Sequence, residues 1–419
     1  VKLGYKGLEH ARLSGSMGRV CHLTGALSIA LICQARVETD TSRKRALLEE
    51  SSKYIEEGIS ILKQASACGD VEPRELTLGI GIWYLAQNQA ELASIEKTIE
   101  KKIEMLKNAI TNMRSTREHW LKWTESPWAR LDKPWWFIFG RDMMILGKTL
   151  SELYALTNDV NFLGDAIEAF EESIEGYGKA DSPFSRVAEG YWELAKAYNK
   201  MGNYTESAKN FELASENYIL AAKKIPQLKD FYQDHASYME AWNAIEKARH
   251  HHAERQYGQA KEHYEKAANL HKSTTRWNYL SPNYLAWAKL EEGEDLSRRE
   301  QTEEAKDLFQ QAAKVFAEAK KSIQAKLEKI ESKDEKELLV NLAEASDIRE
   351  EYCLGRIALE EARILDRQGD HAASSRKYGS ATEKFQKATD AMKDESDRQE
   401  MKPIICLCQA WQMMTRAEA

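Results

Sequence analysis

The residues with the clearest capacity for chemistry are three adjacent histidines, His250, His251 and His252. They lie in a segment, residues 235 to 271, that holds six of the ten histidines of the chain. Consecutive residues of a helix point about 100° apart, so three adjacent imidazoles do not converge on one metal ion. No two histidines of this segment stand three or four residues apart, the spacing at which one helix face holds zinc. We therefore expect no metal site and no cofactor.

Two other motifs contain residues that could bind phosphate or metal. The segment Gly147-Lys148-Thr149 has the ending of a phosphate-binding loop, but Asp142 stands where that loop needs a glycine, and its charge would repel phosphate. The thiols of Cys406 and Cys408 point to nearly opposite faces of a helix and make a poor metal pair. Since no nucleophile or acid–base constellation appears, we expect no catalytic residue and no enzymatic activity.

Aromatic residues are concentrated in one short stretch. Five of the eleven tryptophans lie there: Trp120, Trp123, Trp128, Trp135 and Trp136. Large rings fill irregular gaps between helices, so one interpretation is a packed junction between amino-terminal helices and the rest of the chain. The other interpretation is an aromatic anchor site for a peptide or another domain.

The elements that position these residues are predicted to be helices. The chain has 419 residues with only 7 Pro and 21 Gly, and Ala, Glu, Lys and Leu dominate, which favours an all-α fold. The 60 basic and 67 acidic residues give a net charge of -7, with acids in excess between residues 291 and 351. A nucleic-acid-binding protein usually shows a basic excess on one element, so we expect no nucleic-acid partner.

The composition also bears on localisation. The mean hydropathy is -0.62 and no run of about 18 apolar residues occurs, so we expect no membrane partner. Six cysteines without a CxxC pair are typical of reduced thiols, which predicts a cytoplasmic protein. The chain starts at Val1 and ends within a helical pattern, from which we expect a piece of a longer protein.

The middle of the chain repeats one pattern. Tyr191, Leu194, Ala195 and Tyr198 form one helical stripe, a Gly-containing turn follows, and a second stripe begins with a small residue followed by an aromatic ring. The small residues of the five copies are Ala166, Ser207, Ala260, Ala305 and Ser374. These segments resemble tetratricopeptide repeats, in which a small residue occupies position 20. The copies lie 41 to 69 residues apart rather than about 34, so their helices must be longer or extra helices intervene.

This pattern predicts two regions and one long hairpin. Residues 1–140 form an amino-terminal helical region, and residues 141–419 form a repeat array. Within the array, two long antiparallel helices at about 302–366 are predicted from apolar residues recurring every seven positions. The predicted seam of the second helix contains Leu338, Ala345, Tyr352 and Leu359. A coil that joins two copies of the chain is the alternative, and the sequence leaves the oligomeric state open.

The resemblance implies a function. Tetratricopeptide arrays form an α-solenoid, a superhelix whose concave groove binds protein segments through positions 2, 5, 9 and 12 of each first helix. We therefore predict an interaction scaffold for a protein or peptide partner that carries an acidic group. The positions that carry the prediction are Trp192, Lys196, Asn199, Trp242, Arg249, His252 and Trp287, and positions 9 and 12 of the last two copies add Glu294, Ser297, Arg363 and Asp366.

A second function stays open. Irregular tetratricopeptide arrays often precede a caspase-like protease domain of the kind called CHAT. The chain would then be the regulatory module of a larger protein whose catalytic domain lies outside this sequence.

Overall fold

The computed structural model describes residues 1–67, 75–125, 133–181, 183–330, 333–393 and 395–419. Within these ranges the chain is α-helical and contains no strand, which confirms the predicted all-α class. The helices are α1 (Lys2–Leu13), α2 (Met17–Val37), α3 (Thr41–Ala67), α4 (Glu75–Ser94), α5 (Ile99–Thr124), α6 (Lys133–Thr157), α7 (Asn161–Lys179), α8 (Phe184–Lys200), α9 (Tyr204–Lys224), α10 (Lys229–Ala253), α11 (Tyr257–Ser273), α12 (Ser281–Arg298), α13 (Thr302–Leu327), α14 (Lys333–Arg367), α15 (His371–Ala391) and α16 (Glu395–Glu418).

The helices group into two compact units. The first unit contains Val1–Ala197 and the second contains Tyr198–Ala419. The boundary that the sequence suggests, after residue 140, falls inside α6 (Lys133–Thr157). In each unit, helices mostly pack against their neighbours in the chain, such as α6 against α7 and α13 against α14.

Neighbouring helices run antiparallel. Arg356 of α14 lies over the Phe309 ring of α13, and Asp347 of α14 pairs with Lys320 of α13. The later residue of α13 thus contacts the earlier residue of α14, as in an antiparallel pair. The same holds for α9 and α10, where Asn243 donates to the Ala208 carbonyl at 2.8 Å and Ser215 donates to the Ala236 carbonyl at 2.9 Å. The repeating unit is therefore a helical hairpin.

The turns within two of the hairpins use residues suited to ending the first helix and starting the second. Gly202 and Gly369 have φ of 73° and 77°, a left-handed conformation that costs glycine little. After the turn, the side chain of Asn203 accepts from the Glu206 backbone N–H, and that of Asp370 accepts from Ala373. These caps satisfy backbone donors that the first turn of a helix leaves unpaired.

Small residues are buried where the hairpins cross. All five of the predicted position-20 residues are fully buried, namely Ala166, Ser207, Ala260, Ala305 and Ser374. A similar constraint acts on Gly147, where a Cβ would collide with the Phe170 ring. Gly147 lies in the middle of α6 and serves helix packing.

In the long hairpin, the buried stripe of α14 is shifted by one residue position from the predicted seam. In α13 the predicted residues Phe309, Phe316 and Ile323 are fully buried. In α14 Leu359 is buried as expected but Ala345 is exposed. The residues buried there at seven-residue intervals are Leu339, Ser346, Cys353 and Glu360. Three of these four are not strongly apolar, so a search for hydrophobic periodicity finds the neighbouring stripe instead.

The buried small residues give a stability prediction. Ala260→Leu should lower the free energy of unfolding by about 1–3 kcal/mol, because a larger side chain overpacks a site with no free space. Gln259→Leu, at the exposed neighbouring position, serves as the control and should change stability little. Chemical denaturation measures both, and equal stabilities of the two variants would contradict the hairpin packing.

Candidate partner-binding face

The two tryptophans predicted for the groove in the second unit are packed against other rings. Trp242 stacks on Phe211 with ring centroids 5.8 Å apart, and Trp287 stacks on Tyr264 at 5.6 Å. Both indoles are half-buried. Each indole ring therefore packs its helix against the preceding helix, and part of its surface stays exposed.

The polar residues predicted for the same face contact a buried carboxylate. Glu246 has no exposed side-chain surface, and it accepts from Asn199 Nδ2 at 2.8 Å and from Arg249 Nη1 at 3.0 Å. Asn199 belongs to the preceding first helix, α8, whereas Arg249 follows Glu246 by one turn of α10. Burying a carboxylate is costly unless it is hydrogen-bonded and paired, so this arrangement fixes both donors.

His252 makes the same kind of contact one hairpin later. Its Nδ1 lies 2.8 Å from Oε1 of Glu291, a residue of α12 with no exposed side-chain surface. The hydrogen bond to Glu291 raises the pKa of His252, and burial raises the pKa of Glu291. Because His252 has a raised pKa, this contact stabilises the fold fully below about pH 6.5 and loses its contribution as the pH rises through the folded-state pKa.

The third buried carboxylate is Glu360 of α14. Its Oε1 accepts from Ser297 Oγ at 2.6 Å and from Arg363 Nη1 at 3.0 Å. Ser297 also accepts from Arg356 Nη2 at 2.8 Å, and Arg356 pairs with Glu294 at 3.0 Å. The result is a connected polar network that joins α12 to α14.

These contacts reveal a repeated glutamate that the sequence analysis missed. Each of the five position-20 residues is preceded, 14 residues earlier, by a glutamate: Glu152, Glu193, Glu246, Glu291 and Glu360. In the second unit each one contacts the position-12 residue of the preceding first helix, which is Asn199, His252 or Ser297. In the first unit Glu193 pairs with Lys196 and Lys148, and Glu152 pairs with Lys102. Aligning the copies on the small residue would have shown this periodicity.

The predicted groove residues therefore have an internal role. In the first unit Lys196 pairs with Glu193 at 2.5 Å and lies 5.4 Å from the Trp192 ring. Arg249 and His252 are tied to buried carboxylates but keep 38% and 50% of their side-chain surface exposed. The carboxylate-binding chemistry expected of this face is present, with carboxylates of the chain itself as its ligands.

A polar pocket opens at one end of this face in the second unit. Its volume is about 370 Å³, and it lies where the carboxyl ends of α12 and α14 meet α15 and α16. Three of its residues, Ser297, Arg363 and Asp366, occupy the positions that the resemblance assigns to partner contact. The full lining is Ser297, Arg298, Glu300, Arg363, Asp366, Arg367, Tyr378 and Trp411.

The tryptophan cluster lies in the first unit, on α5 and α6. Trp120 contacts Trp123 and Trp135 with centroids 5.6 Å and 6.0 Å apart, and Trp123 contacts Trp136 at 5.3 Å. Trp120 and Trp136 are buried, whereas Trp123 and Trp135 keep some exposed surface. Trp128 lies outside the described residues. These contacts pack α5 against α6, and both interpretations of the cluster, a packed junction and an anchor site, stay predictions.

A carboxyl group is buried against this cluster. Trp120 Nε1 donates to Asp142 at 3.2 Å, and Arg141 pairs with the same carboxylate at 2.8 Å. Burial raises the pKa of Asp142 to about 7, although both partners act in the opposite direction. The ionised form is thus disfavoured, and this residue makes the fold less stable as the pH rises from about 4 towards 7.

Four of the six histidines of the histidine-rich segment show how different their environments are. His251 and His263 stack across α10 and α11 with centroids 5.3 Å apart, and His251 Nδ1 contacts Gln256 at 2.6 Å. His252 binds Glu291 as described above. His271 is fully buried between Tyr238 and Tyr284, with no hydrogen-bond partner for either ring nitrogen among the described residues.

One group in the described residues has a composition suited to metal ions. Ligand atoms of Asp366, His371 and Glu418 lie within 4.8 Å of one another. His371 Nδ1 is 3.0 Å from the Asp366 carboxylate, and a similar contact five residues apart joins His251 and Gln256 across another turn. The contact between Asp366 and His371 is therefore a common one for this turn.

By length and composition, one described helix could cross a membrane. This helix, α2 (Met17–Val37), is 39% buried in its most apolar window and packs on α1 and α3. A buried core helix passes the same test, so the finding is weak evidence about localisation.

Comparison with known proteins gives no family. No family model and no curated protein matches the chain. Among solved structures, the chain is similar to a circular tandem repeat protein with novel repeat topology, at 15% identity and a TM-score of 0.25, over 100% of this chain and 90% of that one. It is also similar to BtubC (BKLC) from P. vanneervenii, at 12% identity and a TM-score of 0.33, over 64% of this chain and 91% of that one. Both TM-scores lie below 0.5, and the helical repeat architecture rests on the helices of this chain itself.

Because Glu246 is buried, we predict that removing its partly exposed partner Arg249 destabilises the fold. Arg249→Ala should lower the free energy of unfolding by about 2 kcal/mol, since Glu246 keeps only Asn199 as a partner. Lys247→Ala is the matched control, because among the described residues Lys247 forms an ion pair only with the half-exposed Glu212, at 3.6 Å. Urea denaturation at neutral pH measures both, and a neutral Arg249→Ala would contradict the buried pair.

His271 predicts a pH dependence. Burial lowers the pKa of His271 to about 3. Below about pH 6.5 this imidazole is therefore protonated in the unfolded chain but stays neutral in the folded chain. Stability is therefore lost as the pH falls from 6.5 towards 3. His271→Leu should remove this loss, which amounts to about 2 kcal/mol between pH 8 and pH 5.

Melting temperatures at the two pH values measure the effect. His250→Leu, at an exposed position, should keep the acid sensitivity of the wild type. The same sensitivity in His271→Leu would show that this imidazole is not the source.

Proposed function

We propose that this chain is a tetratricopeptide-like repeat protein that binds a protein or peptide partner on the first-helix face of its second unit. The observation that carries the proposal is the polar pocket at the carboxyl ends of α12 and α14. Its lining includes Ser297, Arg363 and Asp366, the positions through which the resemblance implies partner contact. A binding function needs such a surface and no catalytic constellation.

The electrostatics of this face support a binding role. Its cations are held in place by buried carboxylates, so a partner that contacts them does not need to order flexible side chains. Arg363, for example, is bound to Ser297 and Glu360 and lies 5.4 Å from the Trp411 ring. Side chains ordered in advance reduce the entropic cost of association.

The second candidate, a regulatory module of a larger protein with a CHAT-type protease domain, stays a prediction. So does the cytoplasmic localisation. The sequence of the complete gene separates scaffold from module, because only the module requires a catalytic domain in the same polypeptide.

Site-specific photo-cross-linking tests the binding face. A photoreactive amino acid would replace Glu300 or Asp366 at the pocket, and Lys209 or Lys266 on the second helices α9 and α11 as controls. All four side chains are exposed or half-exposed, so the substitutions should leave the fold intact.

After irradiation in extracts of the source cells, we expect a discrete cross-linked partner from the pocket positions and not from the controls. Cross-links from the second-helix positions alone would place the binding surface elsewhere. Absence of any adduct from the pocket positions would also contradict the proposal.

A further inference from the structure

We infer that the pocket between α12, α14 and α16 recognises a carboxylate side chain, Asp or Glu, of the partner polypeptide. This inference rests on the proposed function and deepens it by naming the chemical group that the pocket binds. It starts from the three guanidinium groups of the lining, those of Arg298, Arg363 and Arg367.

The three arginines differ in how completely the chain satisfies them. Arg363 binds Ser297 and Glu360 at 3.0 Å each. Arg298 donates to the Arg255 carbonyl at 3.0 Å, and in the part of the chain that the structure describes it has no carboxylate at ion-pair distance. It therefore offers an exposed positive charge to a ligand in the pocket.

Arg367 already holds a carboxylate, but loosely. Its Nη2 lies 3.5 Å from Oε2 of Glu300, whose side chain is 83% exposed. By comparison, the buried carboxylates of this face have bonds of 2.6 to 3.0 Å. An exposed carboxylate at 3.5 Å contributes little to stability, so a better-placed carboxylate from a partner can displace it.

The chain itself shows which ligand this face accepts. Glu246, Glu291 and Glu360 each receive hydrogen bonds from side chains at position 9 or 12 of the repeats. Positions 9 and 12 also supply Arg363 and Ser297 to the lining of the pocket, and Arg298 and Arg367 add further hydrogen-bond donors to it. A carboxylate from another chain would continue a series that the protein builds from its own glutamates.

The acidic members of the lining favour a carboxylate over a phosphate. Glu300 and Asp366 place two negative charges beside the three arginines. With Arg363 bound to Glu360, the lining carries nearly as many acids as arginines, so a phosphate, with a charge of about -1.5 to -2, gains no net attraction that would offset its greater cost of leaving water. A volume of about 370 Å³ lies at the small end of ligand pockets, and the rings of Tyr378 and Trp411 offer a wall for the methylene groups of the acidic residue.

Fluorescence anisotropy with defined peptides tests the inference without knowledge of the partner. The probes are fluorescein-labelled hexaglutamate, hexaglutamine, and a glutamine hexapeptide with three phosphoserines, whose total charge of about -4.5 to -6 is close to that of hexaglutamate. The proteins are the wild type, Arg298→Gln, the double variant Arg298→Gln/Arg367→Gln, and the matched control Arg299→Gln. Arg299 neighbours Arg298, is 65% exposed, pairs with Asp295 and does not line the pocket.

We expect the wild type to bind hexaglutamate more tightly than the other two peptides, with an affinity that falls as salt rises. Arg298→Gln should weaken binding about fivefold and the double variant further, whereas Arg299→Gln should match the wild type. Melting curves check that the variants are folded, and Arg298→Gln, at an exposed site, keeps the test valid if the double variant is not.

Three results would overturn the inference: no hexaglutamate binding by the wild type, equal loss in Arg298→Gln and Arg299→Gln, or tighter binding of the phosphoserine peptide. None of these would by itself refute the proposed function, because a partner that cross-links at the pocket could use other contacts there.

Discussion

The structure of the second unit depends on a carboxylate buried at the same place in each of its first helices. Glu246, Glu291 and Glu360 have no exposed side-chain surface, and a carboxylate removed from water must be paired and hydrogen-bonded to be tolerated. For each of them, one partner comes from the preceding first helix. The contact is satisfied only when the two helices are in one register, so the glutamates specify how consecutive hairpins align.

This constraint accounts for the character of the predicted binding residues. Three of the polar residues at positions 9 and 12, Asn199, Arg249 and His252, contact a buried glutamate at position 6. The same residues are partly exposed and can contact a partner. Changing them therefore alters stability as well as binding, and the two effects must be measured separately.

The sequence could predict the helical hairpins because their signals are local. A small residue followed four positions later by an aromatic ring marks each second helix, and the small residues Ala260 and Ser374 are buried as expected. The environment of the tryptophans depends on residues far away in the chain. Trp242 stacks on Phe211 because α9 and α10 pack together, and no local sequence pattern predicts this contact.

The glutamate series was predictable in part and was missed for a physical reason. A search for apolar periodicity treats charged residues as the solvent-facing side of a helix. Glu360 and Ser346 lie on the buried side of α14. Because neither residue is apolar, the periodicity assigned the exposed Ala345 to the seam instead. The partners of the glutamates come from other helices, and only the three-dimensional structure identifies them.

A double-mutant cycle on His252 and Glu291 tests the central claim most directly. The free energies of unfolding of the wild type, His252→Ala, Glu291→Gln and the double variant would be measured at pH 6, where the raised pKa keeps His252 charged. If a buried, paired carboxylate aligns the hairpins, His252→Ala should destabilise the wild type but have almost no effect in the Glu291→Gln background, a coupling of about 1 kcal/mol or more. Additive effects would show that the pair is a surface contact and would contradict the account.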